Sequence, residues 1–271
     1  MKIFALFGNP TGHSLSPLMH NAAYSKMGID AHYVSFCVDD IESAVGGIRG
    51  SNIRGVSITI PFKSTVMKCL DAVDDSALKI GAVNTILNQN GRLTGHNTDW
   101  MGLTIALKEK MEIEGKTFVI LGAGGTARST VYAVQKEGGV PIVLNRTAEK
   151  GGELASEFGC ESYHMDNIEN IRADCLINTT PVGMTPDTEK SLVGSIVLTR
   201  FGHVMDVIYN PLRTKLLRNA EKAGCTVLSG LDMFVHQGAE QIKIWTGMEP
   251  PRELMKEVVF QKLKSGDKNG D

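Results

Sequence analysis

The sequence predicts an α/β protein of two domains: a mixed-sheet domain first, then a doubly wound parallel-sheet domain, with C-terminal helices returning to the first. Three observations carry this. Short β-like apolar runs alternate with amphipathic stretches along most of the 271 residues, which argues strands joined by helical crossovers. Asn90-Gly91 lies between two such runs and marks an antiparallel hairpin, because this pair readily takes the positive φ values of a type I′ turn. A glycine-rich turn, Gly122-Ala123-Gly124-Gly125, follows a β-like run and opens a second alternating series.

Taken in order, residues 2–8 read as a strand, 16–28 as a helix, 32–38 as a strand, 40–49 as a helix and 55–60 as a strand. Residues 84–88 and 92–94 form the hairpin. Residues 100–111 have helical periodicity. In the second series the strands are 117–121, 141–145, 174–179, 203–208 and 226–228, with helices such as 126–137 and 214–223 between them. Residues 231–246 and 252–264 read as helices with no further strand. Packed back on the first sheet, they make the first domain discontinuous: residues 1–101 plus 238–271, around a second domain of residues 102–237. The polar, glycine-containing tail 265–271 is expected to be disordered. Trp100, Trp245 and the helical methionines are expected in the core, and His13 and His20 read as packing or capping residues.

Composition narrows the function. A hydrophobic content of 42% supports substantial cores, and a net charge of -2 with interspersed signs gives no footprint for nucleic acid or an anionic membrane. No segment approaches the roughly 20 apolar residues of a membrane span, and the apolar run at the start is short for a signal peptide. A soluble, cytoplasmic protein with a small-molecule partner is expected, as monomer or homodimer. Cys37, Cys69, Cys160, Cys175 and Cys225 are scattered without a C-x-x-C pair and read as reduced, mostly buried thiols. Neither they nor the seven histidines have metal-ligand spacing, so no metal site is expected.

Gly122, Gly124 and Ala127 fit G-x-G-x-x-A at a strand-to-helix turn, with Ala123, Gly125 and Thr126 completing the loop. Backbone N–H groups and the helix dipole there suit a pyrophosphate, which makes the second domain Rossmann-type. The next strand ends at Asn145-Arg146-Thr147, where an NAD-specific fold would carry Asp or Glu for the ribose 2′-hydroxyl. Arg146 can instead pair with a 2′-phosphate, with Thr147 as a hydroxyl donor and Lys150 as added charge. NADP(H) is therefore predicted over NAD; the alternative is that Thr147 is a plain N-cap and Arg146 a solvated charge.

Lys63 stands two residues after Pro61 and is expected in the first turn of a helix, where the macrodipole disfavours a cation and favours an acid–base role. A solvated surface lysine is the alternative. Asp99 precedes a helix, so capping and catalysis are both open to it. Ser16, before Pro17, is a good N-cap; Ser14 lies in the loop before it. A lysine and a carboxylate without a metal, on one chain with a dinucleotide loop, point to hydride transfer coupled to proton transfer.

These runs together resemble the shikimate dehydrogenase family over nearly the whole chain. The matching segments are 8–17 with His20-Asn21, 57–63 (Ser-Ile-Thr-Ile-Pro-Phe-Lys), 81–85, 95–99, 122–128, 145–147, 178–184, 206–211 and 230–237. One departure is Ser57, where the family usually has Asn. The resemblance implies NADPH-dependent reversible reduction of 3-dehydroshikimate to shikimate in chorismate synthesis. It makes Lys63 the proton donor and acceptor and Asp99 the group that orients it. It further implies that Ser14, Ser16 and Tyr209 hold the substrate carboxylate, that Thr59, Asn84 and Gln237 read the ring hydroxyls, and that Thr179, Ile208, Gly230 and Met233 join the cofactor residues. Gln237 is expected at the start of the returning helix. The rival readings are a quinate/shikimate dehydrogenase paralogue, another two-domain oxidoreductase such as a methylene-tetrahydrofolate dehydrogenase, and, from another class, an idle NADP-binding sensor.

Overall fold

The computed structural model describes residues 1–267, and the chain divides into two compact units, Met1–Met101 with Val235–Val259, and Gly102–Phe234 with the chain from Phe260 onward.

The first unit runs β1 (Lys2–Gly8), α1 (Ser16–Lys26), β2 (Ala31–Cys37), α2 (Ile41–Gly50), β3 (Ile53–Ile58), β4 (Ala72–Val73), α3 (Asp75–Ile80), β5 (Thr85–Gln89) and β6 (Arg92–His96), with a 3₁₀ turn over Thr65–Cys69. Its sheet has the order β2-β1-β3-β5-β6-β4. β1 pairs in parallel with β2 and β3, while β5 is antiparallel to β3 and β6. Asn90 and Gly91 both have positive φ, 54° and 90°, so the reversal that makes the sheet mixed is the turn the Asn-Gly pair specifies. β3 covers residues 53–58 rather than 55–60: Ile53 already pairs with Ile3, and the chain leaves the strand ahead of Pro61, which has no N–H to give and restricts Ile60 before it. One face of this sheet packs Val56, Ile58, Ile86 and Leu93 against Val45 and Ile48 of α2, each side chain contributing about 1.5–3 kcal/mol of burial. Gly55 leaves the room that the Trp245 ring fills; the indole stacks on Phe4 at 5.0 Å and donates to the Ile86 carbonyl at 3.0 Å.

α4 (Asp99–Lys108) leads into the second unit: β7 (Thr117–Leu121), α5 (Gly125–Lys136), β8 (Val140–Asn145), α6 (Ala148–Phe158), β9 (Glu161–His164), β10 (Ala173–Asn178), α7 (Ser195–Leu198), β11 (Phe201–Asp206), α8 (Lys215–Lys222) and β12 (Thr226–Leu228). All six strands are parallel, in the order β12-β11-β10-β7-β8-β9. The winding reverses between β7 and β10, the switch point at which such sheets bind ligands. β4, of two residues, is too short to stand out in the sequence, and β9, Glu-Ser-Tyr-His, is short and polar.

α9 (Gly230–Thr246) passes from the second unit into the first at Val235, and α10 (Arg252–Asp267) leaves it again at Phe260. In the first unit Gly238 of α9 lies against Met19 of α1. The expected disordered tail is shortened, because α10 takes in Ser265–Asp267; residues 268–271 lie outside the described residues. The five cysteines are free, but only Cys175 and Cys225 are buried; Cys37 is exposed and Cys69 and Cys160 are half-buried. Among the described residues no helix is long and apolar enough to cross a membrane.

Candidate active site

The C-terminal ends of β3 and β6 deliver the lysine and the aspartate. Lys63 is not on a helix: it lies in the turn after β3, ahead of the 3₁₀ segment, because Phe62 N–H closes a turn on the Thr59 carbonyl at 3.0 Å and Val83 N–H holds the Lys63 carbonyl at 2.7 Å. The expected helix dipole therefore does not act on this lysine, and its partner is Asp99. Lys63 Nζ lies 2.6 Å from Asp99 Oδ2, with the two side chains 15% and 7% exposed. A half-dry ion pair of this kind holds together only when its spare lone pairs are also satisfied. Asn84 Nδ2 does this, donating to Asp99 Oδ1 at 2.8 Å.

Asp99 does not cap the helix it opens. Asn97 Oδ1 accepts the N–H groups of Asp99 and Trp100 at 3.0 and 3.4 Å, so capping is done two residues earlier and the Asp99 carboxylate is left for Lys63 and Asn84. Asn84 itself is buried and fully engaged: its second N–H meets Thr98 Oγ1 at 3.0 Å, and its Oδ1 accepts from Thr98 N–H and from the Thr85 hydroxyl, both at 2.8 Å.

The serine loop differs from expectation in a similar way. Ser16 is the first residue of α1, whose N-cap position falls on Leu15 with no side-chain cap. Ser14 Oγ instead accepts the Ser16 N–H at 3.2 Å and donates to Ser16 Oγ at 3.1 Å, which brings the two hydroxyls side by side. Thr59 follows β3, with Gly8 against its methyl group. Gln237 is half-buried in α9, about two turns in from Gly230 rather than at the helix start. His20, a packing residue by its sequence context, is wholly buried: its Nδ1 meets the Ser16 carbonyl at 2.9 Å, and burial lowers its pKa to about 4, so the ring is neutral.

In the second unit the glycine loop sits at the switch point. Gly122 has φ +114°, and a Cβ there would lie 2.8 Å from Thr179 Oγ1; only glycine fits both the backbone and the space. Thr179 in turn donates to the Leu121 carbonyl at 2.6 Å, so the ends of β7 and β10 are stitched together. Ala123, Gly125 and Thr126 are half-buried and Ala127 is buried. Gly124 is the N-cap of α5 with no side-chain cap, and a Cβ on it would meet nothing within 4 Å. Past β8, Asn145 Nδ2 donates to the Thr147 carbonyl at 2.8 Å. Thr147 holds the N-cap position of α6 but its hydroxyl caps nothing. Arg146 and Lys150 are exposed and make no ion pair among the described residues. A helix start without a side-chain cap, open space beside Gly124, a Thr147 hydroxyl that caps nothing and two exposed cations fit a dinucleotide pyrophosphate with a 2′-phosphate. Gly230 packs on the backbone of Val207 and Ile208. Met233 is buried one turn further along α9, and Tyr209 stacks on Phe234 at 4.1 Å. Asp206, buried at the end of β11, accepts from Ile208 N–H, Asn178 and Thr214; burial pushes its pKa up to about 6.

Sequence reasoning missed Asn97, Thr85, Tyr33 and Gln241. Asn97 was legible as a capping residue two positions before a helix. Gln241 left a fainter signal, a second glutamine one helical turn after Gln237.

A doubly wound unit with an open, uncapped first crossover helix, on one chain with a half-buried lysine–carboxylate pair, defines a two-domain, dinucleotide-dependent dehydrogenase. Residues 6–86 match the shikimate dehydrogenase substrate binding domain, residues 104–183 the shikimate / quinate 5-dehydrogenase family, and residues 230–260 the shikimate 5'-dehydrogenase C-terminal domain. The shikimate dehydrogenase (NADP(+)) of Pyrococcus abyssi is 45% identical over 268 residues, 98% of this chain and 100% of that one. A solved shikimate dehydrogenase in complex with NADP+ matches with a TM-score of 0.91 at 39% identity, covering 97% of this chain and 96% of that one. The Thermus thermophilus enzyme in complex with NADP(H) and shikimate matches at 0.90 and 35% identity, over 96% and 99% of the two chains. The chain belongs to the shikimate dehydrogenase family.

Proposed function

We propose that this protein catalyses the NADPH-dependent, reversible reduction of 3-dehydroshikimate to shikimate, with Lys63 as proton donor and acceptor and Asp99 as its orienting partner. The observation that carries the reading is the 2.6 Å Lys63–Asp99 pair, half-buried and buttressed by Asn84, in a chain whose relatives are NADP-dependent shikimate dehydrogenases. The nicotinamide, when bound, supplies the hydride that adds to the C3 carbonyl carbon. Lys63 Nζ holds the proton that the carbonyl oxygen must take up, and its positive charge stabilises the alkoxide as it forms. Asp99 keeps the ammonium aimed. In the reverse direction the neutral lysine amine accepts the hydroxyl proton, and the ion pair re-forms.

The paired hydroxyls of Ser14 and Ser16 suit a carboxylate, and Thr59 and Gln237 suit ring hydroxyls. Asn84 would reach a ring hydroxyl by giving up its bond to Thr98, while its bond to Asp99 stays. The assignment of Tyr209 to the carboxylate rests on the family likeness alone. We assign residues 122–127, Asn145, Arg146, Thr147, Lys150, Thr179, Ile208, Gly230 and Met233 to the cofactor, the first unit to the substrate and the second to NADP(H).

Steady-state turnover of shikimate and of quinate, each with NADP+ and NAD+, tests the reading. The expected outcome is selective turnover of shikimate with NADP+. Comparable turnover of quinate would make the enzyme a broader paralogue, and NADP+ binding without any turnover would make it a sensor.

A further inference from the structure

The Lys63–Asp99 pair is the outer end of a longer buried chain of hydrogen bonds whose inner members no role in binding or chemistry explains. Asp99 Oδ1 is held by Asn84; Asn84 Oδ1 by the Thr85 hydroxyl, at 2.8 Å; Thr85 Oγ1 by Gln241 Nε2, at 3.1 Å. Gln241 Oε1 accepts the Ser57 hydroxyl at 2.8 Å, and Ser57 Oγ accepts the Tyr33 hydroxyl at 2.7 Å. Tyr33, Ser57, Gln241, Thr85, Asn84 and Asp99 are all buried. We propose that Tyr33, Ser57 and Gln241 are positioning residues for the reaction, acting through Thr85 and Asn84 to hold the Asp99 carboxylate, and with it the Lys63 ammonium, in one geometry. The proposal rests on the roles given to Lys63 and Asp99 above.

The direction of every bond in this chain is set from one fixed donor. The Thr98 N–H is backbone and cannot turn away; it meets Asn84 Oδ1 at 2.8 Å, so the Asn84 NH₂ must face Asp99. Thr85, with a single hydroxyl proton given to Asn84 Oδ1, can only accept from Gln241. That turns the Gln241 NH₂ toward Thr85 and its carbonyl oxygen toward Ser57. Ser57 then gives its one proton to Gln241 and must itself accept, which leaves Tyr33 as the terminal donor. Removing the Tyr33 donor or the Gln241 amide takes a bond from buried Ser57 or Thr85 and frees Ser57 or Gln241 to turn, at a cost transmitted to their neighbours.

Tyr33 is well placed to close the chain. Its backbone is clamped by Asn21, which accepts its N–H at 2.8 Å and donates to its carbonyl at 2.9 Å, and its ring stacks on neutral His20 at 4.2 Å and 19°. This also gives the Ser57 departure a physical meaning. A serine is too short to span the space an asparagine would, and the Tyr33 hydroxyl completes the reach. Ser57 is 4% exposed with both its proton and its oxygen committed inside the protein, so it serves the network rather than the substrate.

A double-mutant cycle in the full-length protein tests this. Gln241→Met keeps the volume and removes the amide's bonds to Ser57 and Thr85, with its longer 3.4 Å bond to the Asn84 carbonyl; Tyr33→Phe removes only the terminal donor. Gln241→Met is expected to lower kcat roughly tenfold, and Tyr33→Phe about threefold, with shikimate KM within about twofold of wild type in both. In an Asp99→Asn background the same two changes are expected to cost less than about twofold further, because they act through that carboxylate. If Gln241→Met does not fold, Tyr33→Phe carries the cycle alone. Wild-type kcat in folded variants, or an equal loss in the Asp99→Asn background, would overturn the proposal. Near-normal kcat in Asp99→Asn by itself would instead refute the catalytic reading of the pair.

Discussion

Around Asp99 in the first unit the hydrogen-bonding groups are taken: both N–H groups of Asn84 are used, Asn97 supplies the helix cap, and Lys63 closes the carboxylate. At the head of α5 in the second unit the opposite holds, with no side-chain cap, empty space beside Gly124 and a Thr147 hydroxyl that caps nothing. The difference is the one that the proposed roles of the two regions require. A group that moves a proton has to be aimed before the substrate arrives, because reorganisation during reaction raises the barrier. A site that captures phosphates must instead keep its donors unpaired until the ligand supplies the acceptors.

The largest effect that sharpens this contrast is expected at Lys63. Lys63→Ala should lose roughly three orders of magnitude in kcat with only a modest change in shikimate KM, since it removes a group needed chiefly in the transition state; steady-state kinetics check it. Gly122→Ala should come next. Its φ of +114° and the 2.8 Å approach to Thr179 Oγ1 place the cost on the order of 2–4 kcal/mol, read as a drop in thermal stability with weakened NADPH binding. Normal melting would show that the switch-point crevice can give way.

Asp206 supplies a pH test of the second unit. Its folded pKa of about 6 lies above the ordinary 3.8, so between these values the folded protein keeps a proton that the unfolded chain has released. Its contribution is therefore lost as pH rises from about 4 to about 6 and is constant above that, a change on the order of 2–3 kcal/mol. Asp206→Asn should flatten that part of the stability profile; an unchanged slope would place the titration elsewhere. The smallest effect is expected at exposed Arg146: Arg146→Ala should raise NADPH KM about tenfold and leave NADH kinetics almost unmoved. Equal effects on both cofactors would mean that Arg146 does not read the 2′-phosphate.

What the sequence shows and what it hides divide along the same line. The glycine turn at Gly122, the hairpin at Asn90-Gly91 and the alternation of strands and helices are local, fixed by backbone geometry within a few residues, and they are legible. The chain from Tyr33 through Ser57 to Gln241 joins residues as much as 184 positions apart, and no local pattern announces it. Lys63 and Asp99 stand out in the sequence as a pair to watch, but for local reasons that do not hold. Lys63 is on no helix, and Asn97 rather than Asp99 does the capping. Ser16 reads as a cap because it precedes Pro17, whereas Ser14 accepts the bond.

The proposed division of labour between an interlocked proton site and an open cofactor site is tested most directly on a single preparation of Lys63→Ala. Its NADPH dissociation constant would be measured by fluorescence titration and its single-turnover rate with 3-dehydroshikimate by stopped flow. The expected result is wild-type NADPH binding with a rate lower by at least about a hundredfold. A near-normal rate, or a rate that falls only in step with lost NADPH binding, would contradict it.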